Sequence, residues 1–190
     1  MSHQENVKII AFVGLAGAGK SSAVEFLTSQ GYPKVYFGGV LFEEMQKAGI
    51  EPTEENQKVF RKQLRANEGK DYIAKRIVDQ INDLIASGQH RIVADGVYSW
   101  TEYKTLKSEF PGELIVVAII ASKHLRHRRL NVRPVRPLTD LEANQRDWSE
   151  IEDLEKGGPI AVADYSIVND SDLENLHDQI DQVIDHADFK

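Results

Sequence analysis

The chain has 190 residues, of which 41% are hydrophobic and 28% charged, and its formal net charge is −7. This composition is typical of a globular protein built around one core domain, and the negative charge disfavours general binding to nucleic acid. The absence of cysteine excludes disulfides, thiolate metal sites and a cysteine nucleophile. Because the chain starts with polar residues and its longest apolar run, 114–121, is too short to cross a bilayer, we expect a cytoplasmic protein without a signal peptide.

Short apolar runs alternate with amphipathic stretches along the whole chain. Strands are predicted over 7–13, 34–37, 91–96, 114–121 and 165–168. Helices are predicted from 22 onward and over 40–48, 53–67, 71–86, 101–109, 123–130, 139–155 and 172–186. Thr53 is predicted to cap the helix over 53–67. Thr139-Asp140-Leu141-Glu142 carries a capping-box pattern at the start of the helix over 139–155, which we expect Gly157-Gly158-Pro159 to end. Such alternation predicts an α/β fold of three layers, with a five-stranded parallel sheet flanked by helices on both faces.

A complete phosphate-binding pattern, G-x-x-x-x-G-K-[ST], lies between the first strand and the first helix. The residues that we predict to bind a nucleotide there are Gly14, Ala16, Gly17, Ala18, Gly19, Lys20, Ser21 and Ser22. Glycines let backbone N–H groups turn toward a polyphosphate, and the helix N-terminus adds partial positive charge. Lys20 is predicted to reach the β and γ oxygens, and the Ser21 hydroxyl is predicted to bind Mg²⁺.

An acid ends the third predicted strand, where Asp95 precedes Gly96. Taken alone, this pair is typical of a turn. In a parallel sheet that also carries a phosphate-binding loop, the carboxyl end of such a strand is a place from which an acid can hold the metal. We therefore predict Asp95 as a second ligand of Mg²⁺ or of its water shell.

A cationic segment without any acid lies between Ser122 and Pro137. Because phosphoryl transfer has a charge-rich transition state, arginines on a closing flap can stabilise it. We predict that role for Arg129, Arg133 and Arg146. The basic residues predicted by default to form a solvated helix face are Lys123, Arg126 and Arg128.

A second basic group follows the second strand, where Arg61 and Arg65 lie four residues apart and so on one helix face. They could bind an anionic group of an acceptor, or they could be surface charges paired with Glu54, Glu55 or Glu68. The histidines show no spacing that is typical of metal ligands.

Together these features resemble the nucleoside monophosphate kinase superfamily, and within it dephospho-coenzyme A kinases and adenylate-kinase-like P-loop proteins. The residues that carry the resemblance are the glycine loop, Asp95-Gly96, the Arg129-Leu130-x-x-Arg133 pattern and the run Ala163-Asp164-Tyr165-Ser166-Ile167-Val168-Asn169. The resemblance implies a P-loop NTPase fold with an acceptor-binding helical insert over about 38–70 and a lid over about 131–146, within one domain spanning 1–190. It also implies that Arg129, Arg133 and Arg146 contact phosphates and that Asn169 lies near the adenine of ATP. We further predict that Arg61, Arg65 and Gly96 contribute to the acceptor site.

The chain departs from the adenylate-kinase-like pattern after the second strand. Where many members have G-D-x-x-R, this chain reads Gly38-Gly39-Val40-Leu41-Phe42. Both charged acceptor-site positions are therefore replaced, by Gly39 and Phe42. Acceptor recognition must differ from the usual one, or transfer to the usual acceptors is lost.

The sequence predicts an ATP- and Mg²⁺-dependent kinase for a small acceptor, either a nucleoside monophosphate or a nucleotide like dephospho-coenzyme A. No stable nucleic-acid or membrane partner is expected, and the oligomeric state stays open. One alternative is a regulatory module that hydrolyses ATP slowly. A GTP-binding switch is a second alternative, disfavoured because the N-K-x-D guanine motif is absent: Asn169-Asp170-Ser171-Asp172 lacks the lysine.

Overall fold

The computed structural model describes residues 6–190, except for the side chain of Glu54. Residues 1–5, part of the start for which no signal peptide is predicted, lie outside the described range. The strands are β1 (Lys8–Val13), β2 (Lys34–Tyr36), β3 (Arg91–Asp95), β4 (Leu114–Ile120) and β5 (Tyr165–Val168). The helices are α1 (Lys20–Ser29), α2 (Phe37–Lys47), α3 (Glu54–Glu68), α4 (Tyr72–Ala86), α5 (Trp100–Glu109), α6 (Lys123–Val132), α7 (Asp140–Glu152), α8 (Gly157–Ala161) and α9 (Leu173–His186).

The five strands form one parallel sheet in the order β2-β3-β1-β4-β5, which confirms the predicted fold class. In register, Asp95 of β3 lies between Phe12 of β1 and Tyr36 of β2. Because the glycine loop directly follows β1, the carboxyl ends of these strands bring Asp95 and the loop to the same edge of the sheet.

Two apolar layers cover the faces of the sheet. Ile10 and Phe12 of β1 pack in the layer that α1 and α9 complete, whereas Ile9 and Ala11 pack in the layer completed by α2, α4 and α5. β1 is therefore buried on both faces, as the unbroken apolar sequences of β1 and β4 indicate. This central position fixes the base of the glycine loop.

The insert after β2 begins earlier than the sequence predicts. Helix α2 starts at Phe37 rather than Val40, so that Gly38 and Gly39 lie in its first turn. A Cβ at Gly38 would overlap the ring of Tyr36, which folds over the start of this helix. The missing side chain therefore makes room for an aromatic ring, and the glycines do not break the helix. In α3 the predicted cap is confirmed, because the Thr53 hydroxyl accepts a hydrogen bond from the Asn56 amide at 3.2 Å.

A loop joins α6 to α7 in the predicted lid. The capping box of α7 is confirmed: the Thr139 hydroxyl accepts from the Glu142 amide at 3.3 Å, and the Glu142 carboxylate accepts from the Thr139 amide at 2.7 Å. The prediction that Gly157-Gly158-Pro159 ends a helix is wrong, because these residues begin α8. Proline fits a first helical turn, where no amide donor is needed, and Gly158 lies against the Trp100 ring. Within 6–190, no helix is long and apolar enough to span a membrane.

Candidate active site

The glycine loop has a backbone shape that only glycine accommodates easily at two key positions. Gly17 and Gly19 have positive φ values of 77° and 111°. A Cβ at Gly17 would approach the backbone carbonyl of Arg126 to 2.6 Å, and one at Gly19 would overlap the Asn169 amide. The loop is therefore packed against the start of the lid and the end of β5, as well as against the sheet.

Lys20 lies inside the curl of this loop. Its ammonium donates to the carbonyl oxygens of Gly14 at 2.8 Å and Leu15 at 3.1 Å. Burial, together with the nearby Lys156 ammonium, lowers the pKa of Lys20 to about 7. An anion placed here would stabilise the charged form, as expected of a lysine that binds phosphate.

Asn169 holds the loop from the β5 side. Its side-chain amide donates to the Ala18 carbonyl at 2.8 Å, and its backbone amide donates to the Ile120 carbonyl at 2.7 Å. The Arg129 guanidinium lies 3.5 Å from both the Asn169 side-chain oxygen and the Gly17 carbonyl. Two predicted site residues, Asn169 and Arg129, are thus brought together at the loop.

Asp95 lies at the end of β3 and is half-buried. Burial raises its pKa, while the positive charges of Lys34 and Lys20 oppose that shift. Ser21 lies in the first turn of α1. A metal held by one carboxylate, a hydroxyl and substrate phosphates is the usual arrangement for Mg²⁺ in such loops, and this donor set fits it. Within 6–190 the structure describes no group of three or more acidic or histidine residues that could hold a metal ion.

The lid helix α7 contributes a buried acid that the sequence analysis missed. The Ala16 amide donates to the Glu150 carboxylate at 2.9 Å, and Lys156 and Arg146 donate to the other carboxylate oxygen at 2.7 Å and 3.1 Å. Glu150 and Lys156 are only 1% and 4% exposed. Burial opposes ionisation of Glu150, but the Lys156 ammonium outweighs it and holds the pKa of Glu150 below its ordinary value.

The prediction that Arg126 belongs to a solvated helix face is wrong. Arg126 is buried and forms two hydrogen bonds to Asp147, at 2.6 Å and 2.8 Å, and a third to the Ala16 carbonyl at 3.1 Å. His127, also buried, lies 3.0 Å from Asp147. An acid on the following helix therefore draws these basic residues inward, whereas Lys123 and Arg128 are exposed as predicted.

The remaining lid arginines lie at different depths. Arg133 donates to the Arg136 carbonyl within the loop between α6 and α7. Arg146 lies one turn before Glu150 and is 39% exposed. Arg129 is the lid arginine placed directly against the glycine loop, while Arg133 lies further along the lid.

The insert arginines differ from one another. Arg65 pairs with Glu102 of α5 at 3.3 Å, rather than with the acids of its own helix. Arg61 is half-buried and forms no hydrogen bond or ion pair with the described side chains. Burial lowers the pKa of Arg61, and the charges of Arg65 and Arg146 lower it further. The charges of Arg65 and Arg146 thus act on Arg61, while Arg65 has an acid partner in Glu102 and Arg146 has one in Glu150 at 3.1 Å.

Gly96 lies behind the Tyr98 ring. Its φ of 102° and the position of that ring exclude a side chain there. Tyr98 in turn donates its backbone amide to Glu102 at 2.8 Å. The predicted acceptor-site residue Gly96 therefore lies against an aromatic ring.

One sequence signal could have revealed the buried acids. The inward face of α7 carries Ala143, Asp147 and Glu150, at spacings of four and three residues, while Trp148 on its outer face is 61% exposed. The acids of α7 recur with the helical period on one face, and the large apolar residues do not share that face. Such a pattern indicates that the acids point toward the rest of the protein. The partners of these acids are distant in sequence and leave no local signal.

A separate open groove of about 740 Å³ lies between α4 and α5. It is lined by Asp71, Lys75, Val78, Asp79, Asn82, Thr101, Lys104, Thr105, Ser108 and Glu109. None of the predicted site residues lines it. Of the predicted site residues, Lys20, Arg129 and Asn169 contact the glycine loop, and we therefore take that region as the candidate active site.

Comparison with known structures supports the fold assignment. A shikimate kinase from Acinetobacter baumannii, solved in complex with shikimate, aligns over 98% of this chain and 97% of its own, with a TM-score of 0.58 and 20% identity. A gluconokinase from Sinorhizobium meliloti aligns over 98% of both chains with a TM-score of 0.56 and 14% identity. At these identities the likeness establishes a shared P-loop kinase-like fold.

Comparison with known sequences establishes the family. A family model described as an AAA domain matches residues 10–153. A UPF0200 protein from Thermococcus onnurineus is 36% identical over 180 residues, which cover 93% of this chain and 96% of the relative. Another, from Hyperthermus butylicus, is 37% identical over 171 residues and 88% of each chain. With the glycine loop, the parallel sheet and near full-length similarity in agreement, the chain belongs to the UPF0200 family of P-loop proteins.

Proposed function

We propose that this protein is a phosphotransferase that moves the γ-phosphoryl group of ATP to a small anionic acceptor. The observation that carries the proposal is the position of Lys20 inside a complete phosphate-binding loop, where its ammonium donates to the Gly14 carbonyl at 2.8 Å. The proposal also uses an arginine cluster, which consists of Arg61 and Arg65 of the insert together with Arg146. The loop supplies the donor site and the arginine cluster supplies the acceptor site. We assign both to one domain, with an insert over about 38–70 and a lid over about 131–146.

The donor half binds the ATP phosphates through the loop amides and Lys20. Helix α1 begins at Lys20, so its N-terminus points its free amides at the same place. Asn169 keeps the loop in this shape through its bond to Ala18. Arg129, which already lies beside Gly17, and Arg133 and Arg146 of the lid neutralise phosphate charge.

Mg²⁺ would be held by the Ser21 hydroxyl and the Asp95 carboxylate. When bound, it supplies positive charge to the phosphate oxygens and fixes their orientation. Asp95 suits this role because it is the acid at the strand end nearest the loop. Burial raises its pKa, and a nearby cation would reverse that shift.

The acceptor half favours an anionic molecule with a flat or apolar part. Arg61 is half-buried and forms no ion pair with the described side chains, whereas Arg65 already pairs with Glu102. Phe42 stands at one of the two positions where many adenylate-kinase-like members carry a charged residue, and its ring centroid lies 6.3 Å from that of Tyr36. A nucleoside monophosphate or a nucleotide-like cofactor precursor has both the anionic group and the ring that such a site would bind.

The reaction needs no covalent enzyme intermediate. An oxygen of the acceptor forms a bond to the γ-phosphorus while the bond from that phosphorus to the β–γ bridging oxygen breaks, and its electron pair leaves with ADP. If the acceptor is a hydroxyl, its proton leaves to water. The protein's part is to align the two oxygens and to stabilise the charge with Lys20 and the lid arginines.

To test this proposal, the protein is incubated with ATP labelled at the γ-phosphate and Mg²⁺, with a panel of nucleoside monophosphates, nucleosides and dephospho-coenzyme A. The expected result is a labelled acceptor whose formation depends on both substrates. Release of labelled phosphate at the same rate with every acceptor, and with none, would contradict a kinase.

A second candidate is a nucleotide-dependent regulatory module with slow ATP hydrolysis. The observation that favours it is the loss of the two charged acceptor positions at Gly39 and Phe42, with Tyr36 folded over the first of the two adjacent glycines. Acceptor-independent phosphate release in the same assay would support it. Calorimetric titration with ATP and with GTP tests the nucleotide, and we expect ATP to bind more tightly.

A further inference from the structure

A buried lysine outside the recognised motif lies at the junction between the donor and acceptor halves of the site. Lys156, just before α8, is 4% exposed, although lysine is almost never fully buried without a partner. Its ammonium lies 2.7 Å from Glu150 and 4.9 Å from the centroid of the Tyr98 ring. The structure therefore holds a positive charge here at considerable desolvation cost, which calls for an explanation.

The donor side of this junction is the glycine loop. Glu150, which binds Lys156 through one carboxylate oxygen, accepts the Ala16 amide at 2.9 Å through the other. The charge of Lys156 also lowers the pKa of Lys20. Lys156 is thus connected to the loop through a single carboxylate.

The acceptor side of the junction is the arginine cluster. Tyr98, whose ring Lys156 faces, is the residue that covers Gly96 at the end of β3. The positive charges of Arg61 and Arg146 lower the pKa of Lys156, and the charge of Arg146 lowers the pKa of Arg61 as well. Lys156 therefore lies within electrostatic range of Arg61 and Arg146, and its ammonium also bonds to the carboxylate that holds Ala16 of the loop.

We propose that Lys156 is a catalytic residue whose ammonium contacts the transferring phosphoryl group, and that Glu150 is the positioning residue that holds it there. This inference rests on the proposed function. A phosphoryl group in transfer carries charge on its equatorial oxygens, and a fixed cation beside it stabilises that charge without reorganisation. Glu150 keeps the ammonium in place before ATP binds, and the same ammonium has further N–H donors for a phosphate oxygen.

The neighbourhood of Lys156 is built to keep it in place. Gly158, two residues later, lies under the Trp100 ring with no room for a side chain, and Trp100 stacks on Tyr103 at a centroid distance of 5.2 Å. This packing fixes the start of α8 against α5. A lysine needed only for charge balance with Glu150 would not require a rigid position between the loop and the arginines.

The test compares binding of ADP with binding of a non-hydrolysable ATP analogue, both with Mg²⁺, by calorimetry. In Lys156→Met the affinity for ADP should change by less than about twofold, while the affinity for the analogue falls roughly tenfold or more, because one charged contact to the γ-phosphate is lost. Transfer of the γ-phosphoryl group at saturating ATP to the acceptor identified in the panel should fall by about a hundredfold. Glu150→Gln should reduce the same preference for the analogue, to a smaller extent.

The matched control is Lys123→Met, on the exposed face of α6, which should match the wild type in all three measurements.

Removing one member of a buried pair could unfold the protein. The double variant Glu150→Gln with Lys156→Met removes both charges together and leaves no unbalanced buried charge. It should fold and still lack the preference for the analogue. If a folded variant without Lys156 keeps the wild-type ratio of the two affinities, or loses both affinities equally, the inference is overturned. If the wild type binds neither nucleotide, the proposed function itself fails, so that the two failures are distinguishable.

Discussion

The Glu150 carboxylate accepts a hydrogen bond from the Ala16 amide at 2.9 Å, across 134 positions of sequence. This contact joins the lid helix α7 directly to the phosphate-binding loop. Arg126 of α6 donates to the carbonyl of the same residue, Ala16, at 3.1 Å. Helices α6 and α7, which flank the loop of the predicted lid, therefore both hold one residue of the phosphate-binding loop.

Replacing Asp147 should strongly destabilise the fold. In Asp147→Ala, Arg126 loses two short hydrogen bonds and remains as a buried unpaired charge, which costs about 3–5 kcal/mol. Urea unfolding followed by circular dichroism measures the change. Asp153→Ala is the control, because Asp153 pairs with Lys58 at 3.8 Å on the surface and should contribute less than about 1 kcal/mol. Equal free energies of unfolding for the two variants would contradict this account of Arg126.

The contribution of Asp147 to stability should disappear in acid. Burial alone would raise the pKa of Asp147, but hydrogen bonds from Arg126 and His127 outweigh burial and lower it below its ordinary value. Since the unfolded chain binds this proton at higher pH than the folded one, the stabilisation is fully present above the unfolded pKa of about 4 and is lost as pH falls through the lower folded pKa.

The measurement is the free energy of unfolding of wild type and Asp147→Asn between pH 2 and 8. The difference between them should be largest near neutrality and should shrink below about pH 4, where the unfolded chain begins to bind a proton at Asp147 that the folded protein still excludes. A difference that stays constant down to the lowest pH would show that the charge of Asp147 does not provide the stabilisation.

Asn169 should support nucleotide affinity by holding the loop. In Asn169→Ala the buried Ala18 carbonyl loses its 2.8 Å hydrogen bond, and we expect ATP affinity to fall about tenfold. Calorimetric titration measures it. Asn175→Ala, at an exposed position in α9, should bind ATP like the wild type. ATP affinity in Asn169→Ala equal to that of the wild type would remove Asn169 from the nucleotide site.

Arg61 and Arg65 should differ in function although they lie on the same helix. Arg61→Met should raise the KM for the acceptor roughly tenfold or more, because an unpaired guanidinium that binds an anion is lost. Arg65→Met should mainly lower stability, because it leaves the buried Glu102 without its partner. Steady-state kinetics with the acceptor identified in the panel tests this, with the exposed Lys62→Met as control. An unchanged KM in Arg61→Met would place the anion elsewhere.

The sequence allowed the sheet, the loop and the strand-end acid to be predicted because these depend on local patterns. β5 was predicted at its observed bounds, and the capping box of Thr139 at the start of α7 was predicted as well. The helix start at Phe37 was not, because the role of Gly38 depends on where the Tyr36 ring lies. At Gly38 the packing of the Tyr36 ring decides where the helix starts, and the local preference of glycine for turns does not.

The inner part of the lid could not be predicted from local patterns. Arg126 and His127 belong to a strongly basic segment, and only the fold brings Asp147 against them, 21 and 20 residues later. Glu150 and Lys156 likewise meet the loop through the packing of α7 and α8. Their burial is decided by contacts between distant segments, for which composition and spacing carry little information.

The most direct test of the central claim is turnover by Lys20→Ala with γ-labelled ATP, beside a circular dichroism spectrum of the same variant. If the loop is the donor site, transfer and hydrolysis should fall by more than about a hundredfold while the spectrum stays that of the wild type. Full activity in a folded Lys20→Ala protein would show that the glycine loop is not where the chemistry takes place.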